Sequence, residues 1–422
     1  VILSLAQLAS LLHGFWRALP RDLRRRTLYD AIDLAAPRAE APRRLKPGPV
    51  IVGGALSTAS GLGESARLCL DALRALGWDP GHLDVGGMFL RSDLKAALPG
   101  RQAVAGEGGT LVLHINGPYM PYVMLRLGRR FLAGRRIVGY WAWELPRMGP
   151  DWRQGLSRVH EIWVPSRFTA ESLPPDTEVP VRIVPHPVAA EPAKPLRERF
   201  GVGPSIFTVL SAFDMGSSYT RKNPKAAIAA FRRAFGDDPR CRLLLKIGHA
   251  GDADWAMDDL GQAIAGMTNV ELIEETLSRA EMTGLIAGAD AVLSLHRAEG
   301  FGLLMAEAML QGVPAVATGW SGNLDFMTKA DSALIGYRLI PVEDPQGTYA
   351  QIGAEWAEPD IDEAATWLRR LRDDAELRQS LATRGREAAA ERLSLAAYRR
   401  AIGDSLPPPD PSAATPLAGP GN

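Results

Sequence analysis

Three short stretches of this 422-residue chain carry side chains whose type and spacing can do chemistry. The densest is SLHRAEGFGLLMAEAMLQGVPAVATGWSGNLD, Ser294 to Asp325. Its pattern predicts a strand ending at His296, a turn Glu299-Gly300-Phe301-Gly302, and a helix opening near Leu303. The first N–H groups of a helix lack intrahelical partners and sit at the positive end of its dipole, which makes an anion site. Glu299 and Glu307 bracket this turn. Carboxylates accept hydrogen bonds from vicinal hydroxyls, so the pair beside a phosphate cradle points to a sugar nucleotide. A second turn brings Ser321, Gly322 and Asn323, whose N–H groups can reach the same phosphates. His296 lies close enough to touch the sugar or the diphosphate.

The second stretch is FDMGSSYTRKNPKAAIAAF, which puts Arg221 and Lys222 just before a helix starting near Pro224. Cations at a helix start oppose its dipole, so the pair is better explained by an anionic ligand than by helix stability. Departure of a nucleoside diphosphate builds negative charge, and these cations can meet it. A D-x-D string, Asp252-Ala253-Asp254, sits in a Gly-rich polar loop and reads as solvated. No metal is therefore expected.

The third stretch is SGLGESA, Ser60 to Ala66, a G-x-G-x-x-A string of the kind found in dinucleotide-binding turns. That turn needs its first glycine at the strand end, yet ALSTAS separates Gly53-Gly54 from Gly61. A dinucleotide is disfavoured, and Asp84 has no special duty. Gly61 and Gly63 instead let backbone approach a ligand closely. On the opposite side, LVLHINGPY offers His114 at a strand end with Asn116 two positions on, while GYWAWE brings Trp141, Trp143 and Glu144 to another strand end.

The elements that must position these groups alternate strand and helix twice over, which predicts two α/β domains with parallel sheets and a ligand crevice between them. The expected divisions are an N-terminal helical segment and linker (1–49), a first Rossmann-like domain (50–190), a second Rossmann-like domain (191–405) whose last helix can cross back, and a disordered tail (406–422). The proline-rich PHPVAAEPAKP marks the hinge. His186 falls in it and reads as structural.

Bulk composition narrows the class. Lys plus Arg and Asp plus Glu both number 48, which argues against a general nucleic-acid binder. The two cysteines, Cys69 and Cys241, are far apart and read as buried free thiols, in keeping with a reducing cytosol. No run of about 18 apolar residues predicts a membrane span. Residues 1–26 combine an apolar helical face with RDLRRR, a pattern for peripheral contact with the inner face of a membrane or for packing on the protein itself.

From about Val50 to about Tyr398 the chain resembles the large retaining glycosyltransferase family 4 (GT4) with the GT-B fold. Its E-x7-E motif is Glu299-GFGLLMA-Glu307, and GLGESAR resembles its first-domain glycine loop. WAWE with EIWVPS resembles the bacterial polysaccharide-type mannosyl- and glucosyltransferases. The resemblance implies that Glu307 binds the ribose hydroxyls, that Glu299 lies near the transferred sugar, and that Lys222 binds the donor diphosphate. The family arginine is missing, since Phe213-Asp214 stands in its place, and Arg221 or Lys246 would replace it. The family histidine falls on His114, or its role passes to Asn116. Gly300, Phe301, Gly302 and Leu303 would complete the donor site. The first domain offers no obvious catalytic carboxylate at acceptor distance.

The resemblance implies a retaining hexosyltransferase that needs no cofactor beyond a nucleotide-diphosphate sugar as co-substrate. Its acceptor would be a glycan, a lipid-linked or a small-molecule hydroxyl, and nucleic acid is not an expected partner. The competing readings are a sugar-nucleotide-binding protein without transferase activity and a nucleotide-sugar epimerase.

Overall fold

The computed structural model describes residues 21–89, 100–188, 193–349 and 353–409. Residues 1–20, the first part of the expected membrane-contact segment, lie outside the described residues, as do 410–422 of the expected tail.

Two six-stranded parallel sheets form the frame. The first holds β1 (Val50–Gly54), β2 (Gly81–Asp84), β3 (Thr110–His114), β4 (Arg136–Tyr140), β5 (Glu161–Val164) and β6 (Val181–Ile183) in the order β2-β1-β3-β4-β5-β6. The second holds β7 (Phe207–Asp214), β8 (Cys241–Gly248), β9 (Val270–Ile273), β10 (Ala291–Ser294), β11 (Ala315–Thr318) and β12 (Ala333–Ile335) in the order β12-β11-β10-β7-β8-β9. β1, β3 and β11 are buried along their whole length, which explains their unbroken apolar sequences. Strand order reverses between β1 and β3 in one sheet and between β7 and β10 in the other. Ligands of open α/β sheets bind outside the carboxyl ends of strands at such points. Here the two switch points carry the glycine loop and Asn116 on one side, and the Arg221-Lys222 turn and Glu299 on the other.

Two features join the halves beyond the hinge. The helix Leu395–Ile402 crosses back onto the first sheet: Tyr398 and Ile402 pack with Val52, Leu73 and Trp163, and the Tyr398 hydroxyl donates to Cys69 Sγ at 3.2 Å. Leu406 is buried in the same cluster, and Trp78 Nε1 donates to Pro407 O at 2.8 Å. The start of the expected tail is therefore packed structure. The second feature is an antiparallel hairpin, β13 (Tyr337–Pro341) with β14 (Glu355–Pro359), which no sequence pattern announced. Its Trp356 and the intervening Tyr349 sit in the first domain's core with Trp141, Trp143 and Trp152.

Local differences have physical causes. The strand expected through Glu144 ends at Tyr140: Trp141 N still donates to Trp163 O of β5 at 2.8 Å, but Ala142 N donates to Asn116 Oδ1 at 2.9 Å rather than to a strand. A helix spans Met120–Leu132, with a break at Gly128, whose φ of 76° lies outside helical space. Both cysteines are free and buried, and burial pushes the Cys69 thiol up to about 12. Among the described residues no helix is long and apolar enough to cross a membrane.

Candidate functional site

A cleft of about 400 Å3 opens between the carboxyl ends of the two sheets. From the first domain it is lined by Gly61, Asn116 and Glu144. From the second it is lined by Asp214, Arg221, Lys222, His249 and Glu299 to Met305.

Glu299 is its centre. It leaves β10 through a turn that buries it to 8% exposure. Lys222 Nζ donates to Glu299 Oε1 at 2.6 Å, and Arg221 Nη1 lies 3.4 Å from Oε2. Burial alone would raise this carboxyl, but Lys222 and then Arg221 outweigh it and hold Glu299 down to about 2. The helix Leu303–Leu310 opens directly after the turn from Gly302, whose φ is 102°. The N–H groups of Leu303 and Leu304 find no acceptor among the described residues, and both residues line the cleft. Gly300, Phe301, Gly302 and Leu303, expected at an anion site, line the cleft beside these N–H groups.

Strain collects around this centre. The non-glycine residues with positive φ among the described residues are Ser218, Asn223, His249 and Ser321. Ser218 and Asn223 bracket the turn that holds Arg221 and Lys222, and Ser321 sits under Glu299. Backbone of this kind persists where the surroundings over-determine it, typically at ligand sites.

Arg221 and Lys222 divide the work. Arg221 is 1% exposed, and its Nη1 donates to Ala298 O at 2.7 Å while Nη2 donates to Ser217 O and Oγ. Its guanidinium lies over the Tyr349 ring and 4.0 Å from Glu144 Oε1. Burial opposes its charge, but Tyr349, Glu144 and Glu299 more than restore it. Arg221 thus ties the turn together, and Lys222 is the more exposed cation.

Several expected site residues take other places. Lys246 is buried on β8 and donates to Ile247 O at 2.9 Å, so it does not line the cleft; burial lowers its affinity for the proton. His296 is fully buried, with Nε2 3.2 Å from Asn323 Oδ1 and Nδ1 beside Ser294, and burial lowers it. Ser321, Gly322 and Asn323 brace the Glu299 turn rather than face the cleft: Glu299 N donates to Ser321 Oγ at 2.8 Å and Gly322 N to Glu299 O at 2.9 Å. The Gly322 N–H is consequently not free for a phosphate.

Gly61 faces open space on the cleft wall, whereas a Cβ on Gly63 would meet Thr58 O at 2.5 Å and Ala55 O at 2.6 Å. Gly63 serves close packing, not ligand approach. Asp84 accepts from Gly86 N at 2.9 Å and holds its own turn. His114 sits behind the wall at 1% exposure, stacked on Tyr140, with Nδ1 2.7 Å from Ser65 Oγ. Burial and then His186 push it well below the usual histidine range, so it is neutral. Asn116, the other candidate, does line the cleft. His186 also lines it, packed against Phe301 and close to the Tyr140 hydroxyl.

Glu307 is half-buried one helical turn beyond Leu303, on the same face. Burial, reinforced by Glu64 and opposed by Arg279, raises its carboxyl to about 7. Glu64 and Arg279 themselves form a 2.8 Å ion pair between the two domains.

The sequence reading gave no site role to Glu144, Asp214, His249 or Tyr349, all of which line the cleft. Asp214 pairs with His249 Nδ1 at 2.7 Å where the family arginine would stand. The Tyr349 hydroxyl donates to Glu144 Oε2 at 2.9 Å. Glu144 was visible at a strand end beside tryptophans; Tyr349 had no sequence signal, because its hairpin was not foreseen. Among the described residues no group of three or more His, Cys, Asp or Glu side chains is placed to hold a metal ion.

Comparison with known proteins places this geometry. The fold resembles HepE of Anabaena, solved in complex with UDP-glucose, at 16% identity and a TM-score of 0.60 over 84% of this chain and 98% of that one. HepE in complex with UDP and glucose gives 15% identity and a TM-score of 0.59 over 85% and 99%. S. aureus TarM gives 14% identity and a TM-score of 0.49 over 69% of this chain, which spans about half of TarM (54%). No curated protein sequence matches. The two facing sheets are those of the GT-B fold. The profile described as "Family 4 Glycosyltransferase in conflict systems" matches residues 166–393. That span is just over half of the chain and includes Lys222, Glu299 and Glu307, and the chain belongs to this glycosyltransferase family.

Proposed function

We propose that this glycosyltransferase is a metal-independent, retaining hexosyltransferase. It moves a hexose from a nucleoside-diphosphate sugar to a hydroxyl of a glycan, a lipid-linked or a small-molecule acceptor. One observation carries the reading. The Lys222–Glu299 ion pair lies in the interdomain cleft beside a helix start with unsatisfied N–H groups. Such a site accepts a diphosphate at the helix tip and a polyhydroxyl ring at the carboxylate.

In this arrangement the diphosphate lies on the N–H groups of Leu303 and Leu304 and draws Lys222 toward it. Glu299, released from part of its pairing, accepts from sugar hydroxyls. Glu307, on the Leu303 face, accepts from the ribose. As the bond from the anomeric carbon to the phosphate oxygen breaks, the electron pair leaves on the nucleoside diphosphate. Lys222 and the helix dipole stabilise that charge in place, without reorganisation. HepE, solved with UDP-glucose, supports a uridine donor as the first to try. A cytoplasmic location accords with the two buried free thiols.

The test is transfer from UDP-, GDP- and ADP-hexoses in the presence of EDTA, with the anomeric configuration of the product read by NMR. Transfer with retention supports the reading. Transfer abolished by EDTA and restored by a divalent cation overturns metal independence, and an inverted product overturns retention. Donor conversion without acceptor would identify an epimerase.

A further inference from the structure

We propose that Gln346 is a positioning residue for donor binding: it holds the turn that carries Lys222 in the geometry that meets a diphosphate. This rests on the donor-site reading above.

The turn cannot hold itself. Ser218 sits between a 3-10 turn (Met215–Ser217) and a helix of four residues (Tyr219–Lys222). A single helical turn fixes many dihedrals for few hydrogen bonds, so it forms only with outside support. Ser218 itself is fully buried at φ 64° and ψ 101°, outside the regions that non-glycine residues favour. Lys222 N donates back to Ser218 O at 3.1 Å, so the placing of Lys222 follows that of Ser218.

The support comes from the loop between β13 and β14. Gln346 grips the turn on both sides of Ser218: its Oε1 accepts from Tyr219 N at 2.7 Å, and its Nε2 donates to Met215 O at 2.8 Å. Tyr219 N is the first N–H of the short helix and has no partner within it. An uncharged amide offers an acceptor and a donor side by side, and the two backbone partners fix which end is which. Asp344 adds a third contact, accepting from Ser218 Oγ at 3.0 Å.

The loop is itself held. Gly347 N donates to Asp344 O at 2.9 Å, and Tyr349 N donates to Asp344 Oδ2 at 3.0 Å. The Tyr349 ring packs on Trp143 of the first domain with centroids 5.2 Å apart, and its hydroxyl donates to Glu144. Gln346 thus fastens the donor turn to a loop that is anchored in the opposite domain. Gln346 does not line the cleft, so its effect on a ligand there passes through the turn.

The experiment is calorimetry with whichever of UDP, GDP or ADP the wild-type chain binds. The variants are Gln346→Met and Gln346→Ala, each made alone and together with Lys222→Ala. Both remove the two hydrogen bonds without changing charge, and methionine keeps the bulk. Each should weaken Kd by roughly 3–30-fold when Lys222 is present and by less than about 2-fold when it is absent, the non-additivity of residues acting as one unit. Melting temperatures should stay within about 4 °C of wild type. Wild-type affinity in both variants, loss of folding in both, or an equal loss with and without Lys222 overturns the proposal while leaving the donor-site reading intact. A wild-type chain that binds none of the three, or an unchanged Kd in Lys222→Ala alone, overturns both.

Discussion

Lys222 donates to Glu299 at 2.6 Å across the turn that opens the Leu303 helix, so the most exposed cation of the cleft is already committed to a carboxylate it helps hold down to about 2. Binding a diphosphate must exchange that pairing. Removing the cation in Lys222→Ala should weaken nucleoside-diphosphate binding by about 1.5–3 kcal/mol, the range for hydrogen bonds to charged groups. Calorimetry checks this, and an unchanged Kd would remove Lys222 from the donor site.

Glu307 gives a pH prediction. Its folded carboxyl titrates at about 7 against 4.5 for the free group, so the folded chain binds more protons between those values. Stability from this group falls as pH rises through that window. Glu307→Gln mimics the protonated form. Its melting temperature relative to wild type should be near zero shift at pH 4.5 and positive at pH 8. An equal shift at both pH values would contradict the raised carboxyl.

The same residue tests the ribose assignment. Glu307→Ala should weaken donor binding by ~1–3 kcal/mol if a buried hydroxyl pairing is lost. Unchanged donor affinity would remove Glu307 from the donor site.

Gly322 tests the bracing of the site. A Cβ there would overlap the Gly300 carbonyl oxygen, which is backbone and cannot swing aside. Gly322→Ala should therefore shift the Glu299 turn and destabilise the chain by about 1–3 kcal/mol, the usual range for overpacking. Denaturant unfolding measures it, and a wild-type midpoint would show that the turn is soft.

The Glu64–Arg279 pair spans the domains, but its arginine side chain is 48% exposed. Exposed ion pairs contribute roughly 0–1 kcal/mol. Arg279→Ala should leave thermal stability almost unchanged. A fall of several degrees in melting temperature would mean that this contact holds the domains together.

Much of this architecture was legible because its signals are local. Parallel buried strands leave continuous apolar runs, and the glycine turn between β10 and its helix places Glu299 by spacing alone. The misassigned residues share a cause. Lys246, His296, Ser321, Gly322 and Asn323 are all near the site in sequence, but which way each side chain points depends on the neighbouring strand and turn. His114 is likewise at a strand end, yet stacking on Tyr140 turns it inward. Tyr349 was invisible for the opposite reason, since it reaches the cleft from a hairpin far along the chain and meets Glu144 only through the fold.

The most direct measurement is calorimetric titration of the purified chain with UDP, GDP, ADP and NAD, with EDTA present. The account predicts tight binding of one nucleoside diphosphate, weakened by about 1.5–3 kcal/mol in Lys222→Ala. Binding of NAD alone would contradict it and return the SGLGESA loop to dinucleotide recognition.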